Sequence, residues 1–206
     1  MNFKNGILSV CLALCLMEAA AFAQSQRLSV LAQAGGAFHE ENNLRPGIET
    51  GFGASYPLGT RFSVSLECLY WKCASEEFRT KLYNGTLTLS PVLLSLQYNF
   101  HRNKFFFPYA SVGGGYLFTR FKIGKYISIP EIRIDQRVDG GPAFYFGLGA
   151  RIAFSESWSF IAEAAYLMRN ASGETIISDM NLGVSKEKLW VNLHVVFLKF
   201  GLRFYI

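Results

Sequence analysis

From Lys199 to Ile206 the chain alternates without a break. Phe200, Leu202, Phe204 and Ile206 share one face of an extended strand, and Lys199, Gly201, Arg203 and Tyr205 share the other. A segment built this way needs a partner edge for its backbone and an oil-like surround for its apolar face. That pair of requirements excludes most water-soluble folds for this stretch and sets what the rest of the chain must supply.

The same period of two recurs upstream. Strands are expected at about 27–38, 48–56, 61–72, 86–100, 105–118, 143–154, 158–168 and 189–206. In the second, Ile48, Thr50, Phe52, Ala54 and Tyr56 oppose Glu49, Gly51, Gly53 and Ser55; in the sixth, Phe144, Phe146, Leu148, Ala150, Ile152 and Phe154 oppose Tyr145, Gly147, Gly149, Arg151 and Ala153. Short turns at 57–60, 101–104 and 155–157 alternate with polar connections at 39–47, 73–85, 119–142 and 169–188. Pro91 interrupts the fourth segment, where a missing ladder donor predicts a bulge.

An even number of strands, with short and long connections in turn, predicts an all-β fold: an eight-stranded antiparallel up-and-down transmembrane β-barrel with four extracellular loops. Each strand is long enough to cross a bilayer while tilted, and closure of the first strand on the last removes both edges. Half of the residues are apolar and 16% aromatic, yet residues 24–206 hold no apolar run of helix-spanning length. The net charge of +5 is spread out, without the basic block that a nucleic-acid-binding tail would show.

The start of the chain fits an exported protein. Lys4 precedes an apolar stretch from Ile7 to Met17, and Ala21-Phe22-Ala23 is a small-residue cleavage site, so residues 1–23 are expected to be a signal peptide and 24–206 the barrel domain. Cys15 raises a lipoprotein alternative, weakened by Leu14 where a small residue is wanted. Cys68 and Cys73 fall on opposite faces of one strand, roughly 17 Å apart at the usual rise per residue, too far to form a disulfide.

The outward faces end in aromatics. Tyr56, Phe62, Phe100, Phe105, Phe154, Trp158 and Phe204 lie near the turns, and Phe38, Tyr70, Tyr116, Phe118, Phe144 and Tyr166 near the long connections, as girdles at two membrane interfaces would. The inward phase carries Gln33, Glu49, Glu67, Gln97, Arg151, Glu163, Lys199 and Arg203 among glycines. Of these, Glu67, Arg151, Glu163, Lys199 and Arg203 are expected to form an interior ion network near the turn end, because buried charges must be paired. Neighbouring carboxylates also admit an acid/base site, but the three histidines, His39, His101 and His194, fall in a loop, a turn and a strand, and no His-x-Ser or metal-ligand spacing occurs. No catalytic residue, metal or cofactor is expected.

Three stretches carry a resemblance. Leu89-Ser90-Pro91-Val92-Leu93-Leu94-Ser95-Leu96-Gln97-Tyr98-Asn99-Phe100, Phe107-Pro108-Tyr109-Ala110-Ser111-Val112-Gly113-Gly114-Gly115-Tyr116 and Gly201-Leu202-Arg203-Phe204 resemble the small outer-membrane β-barrel ("porin family") proteins common in Bacteroidetes and, more distantly, OmpA/OmpX-type barrels. Lys199, Gly201, Phe204 and Ile206 resemble the C-terminal signal by which such barrels reach their assembly machinery, although Ile206 stands where bacterial members usually carry Phe or Trp. The resemblance implies the outer membrane as location and outer-membrane lipids, lipopolysaccharide and the assembly machinery as partners, with surface ligands contacted through the loops. It implies no activity, and no peptidoglycan-binding domain is expected after the last strand. A structural or surface-interaction protein, a narrow channel for small solutes or ions, and a soluble periplasmic ligand-binding barrel are the function classes that remain.

Overall fold

A computed structural model describes residues 27–40, 44–75, 84–100, 105–124, 132–179 and 183–206. The expected signal peptide, the turn at 101–104 with His101, and parts of the long connections lie outside these residues. Eleven strands are described: β1 Ser29–His39, β2 Gly47–Pro57, β3 Phe62–Ser75, β4 Gly85–Asn99, β5 Phe106–Ile123, β6 Ile132–Val138, β7 Gly141–Ala153, β8 Trp158–Met168, β9 Asn170–Asp179, β10 Gly183–Asn192 and β11 Val195–Tyr205.

Eight of them close into one antiparallel barrel in the order β1-β11-β8-β7-β5-β4-β3-β2. The seam is continuous, from Ser29 opposite Tyr205 to His39 opposite Val195, so neither terminal strand keeps a free edge. Alternation fixes the register, since a slip of one residue would turn every lipid-facing side chain into the lumen. Of the girdle aromatics, all but Phe204 and Tyr166 are exposed and those two are half-buried; between them stand Phe52, Leu66, Leu94, Val112, Phe146, Leu148, Leu198 and Phe200, all exposed. An apolar band around a closed wall has its stable surround in lipid.

Pro91 produces no bulge. The ladder between β3 and β4 is interrupted between the pairs Cys68–Val92 and Trp71–Leu89, but the register is the same on both sides. On its other flank Pro91 lies opposite Leu117 in an unbroken ladder. The missing N–H therefore faces β3 and costs a local gap instead of an inserted residue.

The connections at 119–142 and 169–188 are not loops throughout. β5 runs on to Ile123, and β6, β9 and β10 form a second sheet in the order β10-β9-β6. Because β6 leads into β7, β9 follows β8 and β10 leads into β11, this sheet continues one side of the barrel wall beyond the rim. Two polar junctions mark the transition. Arg169 donates from its guanidinium to the carbonyls of Pro142 (2.8 Å) and Asp139 (3.0 Å). At the other junction the Asn192 side-chain oxygen accepts the His194 backbone N–H at 2.9 Å, a local bond that competes with the ladder and separates β10 from β11.

Candidate functional site

The lumen has three layers, two of them filled by side chains and the lowest an open, polar-lined end. The middle layer is ionic and is built by direct cross-strand pairing: Lys199 on β11 lies opposite Glu163 on β8, and Glu163 lies opposite Gly149 on β7. Lys199 Nζ is 3.5 Å from Glu163 Oε2 and 3.3 Å from Glu67 Oε2, which reaches in from β3. The remaining lone pairs are taken up by neutral donors. Gln33 Nε2 donates to Glu67 Oε2 at 3.0 Å, Tyr109 Oη to Glu163 Oε2 at 3.0 Å and Ser111 Oγ to Glu163 Oε1 at 3.1 Å. Tyr145 Oη accepts from Lys199 Nζ at 2.6 Å and donates to Glu163 Oε1. All of these groups are buried. Room for Glu163 comes from Gly147, where an added Cβ would collide with the carboxylate and lie 2.8 Å from Ser111 Oγ.

Of the five residues expected to pair, the structure brings together Lys199, Glu67 and Glu163, and it does so halfway along the strands instead of near the turns. Arg151 lies opposite Ile161, one inward step closer to the turns than the Gly149–Glu163 pair. Its guanidinium stacks 4.4 Å from the Phe107 ring centroid and 5.8 Å from that of Tyr205, with no carboxylate partner among the described residues. Arg203 is buried as well, and its Nε has no hydrogen-bond partner among the described residues. Tyr145, Tyr109 and Ser111 complete the layer without having been expected in it. Tyr145 shares the inward phase of Gly147 and Gly149, and that phase is the signal that places its hydroxyl in the lumen.

Above the ions, toward the long connections, the interior is apolar. Trp71, Leu87, Leu89, Leu117, Leu167, Val195 and Phe197 are fully buried there. Val138, Ala171, Leu189, Val191 and Leu193, from the second sheet and its junction, belong to the same packed cluster. The side chains that seal the outer mouth thus come partly from the extension above the rim. Below the ions, toward the turns, the lining is polar: Ser29, Ser55, Ser63, Gln97 and Ser159 are buried, and Ser63 Oγ donates to Gln97 Oε1 at 3.1 Å.

The profile of the outer membrane protein β-barrel domain matches residues 9–204. The chain belongs to that family. It is an integral protein of the bacterial outer membrane. No curated protein matches it by sequence. Among solved structures, this outer-membrane barrel is similar to OprG of Pseudomonas aeruginosa, at 15% identity over 88% of this chain and 96% of that one, with a TM-score of 0.64. It is similar to Neisserial surface protein A at 13% identity, 88% and 97% coverage and a TM-score of 0.56. It also resembles outer membrane protein W of E. coli at 14% identity, 90% and 100% coverage and a TM-score of 0.54. At these identities the likeness is one of fold.

Glu49, opposite Trp71, is fully buried, and neither carboxyl oxygen has a hydrogen-bond partner among the described residues. A buried polar group left unsatisfied costs about 1–3 kcal/mol. Glu49→Met, similar in volume and apolar, is expected to raise the urea midpoint of the folded barrel; a lowered midpoint would show that the carboxyl has a partner that supports the fold.

At the outer rim, beyond the end of β1, Glu40 Oε2 accepts from Tyr166 Oη at 3.0 Å and sits 3.0 Å from His194 Nδ1. The Tyr166 hydrogen bond first, and His194 second, hold the Glu40 carboxyl below its usual value. A depressed carboxylate adds stability above the unfolded-state value, and that contribution is lost as pH falls through the lower folded-state value. The rim link is therefore intact at neutral pH and opens only under acid conditions below the ordinary glutamate range. Carboxyl-carbon NMR should show Glu40 titrating low, and Tyr166→Phe should return it toward the ordinary value.

Proposed function

We propose that this protein is a closed outer-membrane barrel, of the small kind common in Bacteroidetes, that acts as a structural and surface-interaction protein and catalyses no reaction. The observation that carries this proposal is the β10-β9-β6 sheet standing above the rim of a lumen already filled by side chains. Its outer strand β10 exposes every residue from Gly183 to Lys188, and Val184 and Trp190 are exposed apolar side chains beyond the closed wall. An exposed tryptophan beside Lys186, Glu187 and Lys188 suits contact with a partner surface, since aromatic anchors with a polar rim dominate interface energetics. Lipopolysaccharide and neighbouring surface molecules are the partners in reach of this sheet; the band below meets outer-membrane lipids, and the assembly machinery meets β11 during insertion. No nucleic acid is a partner.

The residues of the terminal strand have separate positions in this scheme. Lys199 and Gly201 face the lumen, Phe204 packs on Trp158 with ring centroids 4.8 Å apart, and Ile206 is exposed. The competing function is a narrow solute channel, favoured by the polar lining below the ions.

Trypsin on intact cells and solute swelling of proteoliposomes test the two together. Cleavage at Arg137, Lys186 or Lys188, with the turn at Arg61 spared and no swelling by small sugars, is the expected result. Swelling equal to that of an open porin would reject the closed barrel, and cleavage at Arg61 with the sheet spared would invert the topology.

A further inference from the structure

The turn end of the barrel holds a vestibule of about 1210 Å³. Among the described residues its charged lining is one-sided: Arg27, Arg61, Arg151 and Arg203 contribute four guanidinium groups against the single carboxylate of Glu156. Glu156 is exposed on the turn at the mouth, so it does not neutralise the inner pair. Arg203 is 4% exposed and its Nε is without a hydrogen-bond acceptor. It lies within electrostatic reach of Glu67, but that carboxylate is already bonded to Lys199 and Gln33. Arg151 is held against the Phe107 and Tyr205 rings; it shares a hydrogen bond with the Tyr205 hydroxyl, and no carboxylate among the described residues meets its remaining donors.

A buried guanidinium normally has its donors satisfied, because leaving them bare in a water-poor site is costly. Two neighbouring inner arginines, Arg203 one inward step nearer the turns than Arg151 in the β8 register, with two more at the mouth, can together meet an oxyanion by forked hydrogen bonds. The field of the outer pair also draws anions toward the inner one. We propose that this vestibule is a binding site, facing the periplasm, for a phosphate-bearing anion, with Arg203 and Arg151 as its donors and Arg27 and Arg61 as its electrostatic entrance. Nothing in the filled lumen lets such an anion pass onward, so the site captures without conducting. The phosphate can come from a soluble small molecule or from a lipid headgroup of the inner leaflet.

Isothermal titration of inorganic phosphate and pyrophosphate into the refolded full-length barrel, in maltoside micelles free of phosphate headgroups, is the test. Saturable binding stronger for pyrophosphate is expected, weakened at least tenfold by Arg203→Gln and by Arg151→Gln and severalfold by Arg61→Gln. Arg169→Gln at the opposite rim should leave it unchanged. Arg61 is exposed on a turn, and its bonds to the wall, from the Asn99 backbone and side-chain nitrogens, go to its carbonyl and survive a side-chain change, so its variant decides the location even where an inner variant fails to give the heat-modifiable folded band. Repeating the titration in phospholipid nanodiscs separates the sources: binding that persists marks a soluble anion, and binding lost to the surrounding lipid marks a headgroup. Absence of saturable binding in the wild type, or binding that Arg61→Gln and Arg151→Gln leave untouched, would overturn the proposal.

Discussion

Lys199→Met is expected to destabilise the folded barrel by about 3–5 kcal/mol, the usual consequence of removing one member of a buried ion cluster. Lys199 is 1% exposed and is the cation shared by Glu67 and Glu163, so its loss leaves two carboxylates facing each other away from water. Tyr145 would lose the donor to its hydroxyl at the same time. Met preserves most of the volume, which separates the electrostatic effect from a packing defect. Urea unfolding, followed by the change in gel mobility between folded and unfolded forms, measures the difference. Adding Glu67→Gln and Glu163→Gln to Lys199→Met should recover much of the loss, because the uncompensated charges are then gone; the non-additivity of that cycle is the signature of the cluster. A wild-type midpoint in Lys199→Met would mean that the ions are solvated and that the middle of the barrel is wet.

The barrel wall was legible because lipid imposes a period of two that nothing else in the chain contradicts. Phe52, Phe146 and Phe200 must point outward, and their neighbours Gly53, Gly147 and Gly201 must then point in. What lies above the membrane lost that signal. In β9 and β10, Asn170–Asp179 and Gly183–Asn192, the strand faces meet water or a small packed cluster, so polar and apolar residues no longer sort by phase and the segments read as loops. The upper lumen was hidden for a related reason. Leu69, Trp71 and Cys73 are apolar on the inward phase of β3 while Tyr70 is apolar on the outward one, and two apolar faces show no alternation.

The ion cluster was half legible. Phase alone places Glu67, Glu163 and Lys199 in the lumen, but height depends on strand register. The direct pairs Lys199–Glu163 and Gly149–Glu163 leave Arg151 a step lower, where it meets Phe107 and Tyr205 instead of a carboxylate.

Trp71→Ala is the second large effect, and it probes the apolar layer independently of the ions. Trp71 is fully buried, meets the Phe197 ring edge-on at 5.0 Å between centroids, and donates from Nε1 to His39 Nε2 at 3.3 Å. Truncating a large buried aromatic costs about 3–5 kcal/mol, through lost transfer energy and the cavity left behind. A closed barrel wall cannot collapse inward to refill that cavity, so the upper part of the range is expected. The lumen should nevertheless stay shut. The Lys199–Glu67–Glu163–Tyr145 layer lies between the new cavity and the polar vestibule, and its groups are bonded to one another across the lumen from β3 to β7, β8 and β11. Single-channel recording should therefore find no steady conductance in wild type or in Trp71→Ala, although Trp71→Ala unfolds at lower urea. Conductance that appears with Trp71→Ala alone would place the seal in the apolar layer instead of the ionic one. A large, steady wild-type conductance would mean that neither layer closes the barrel and that the channel is the function to pursue.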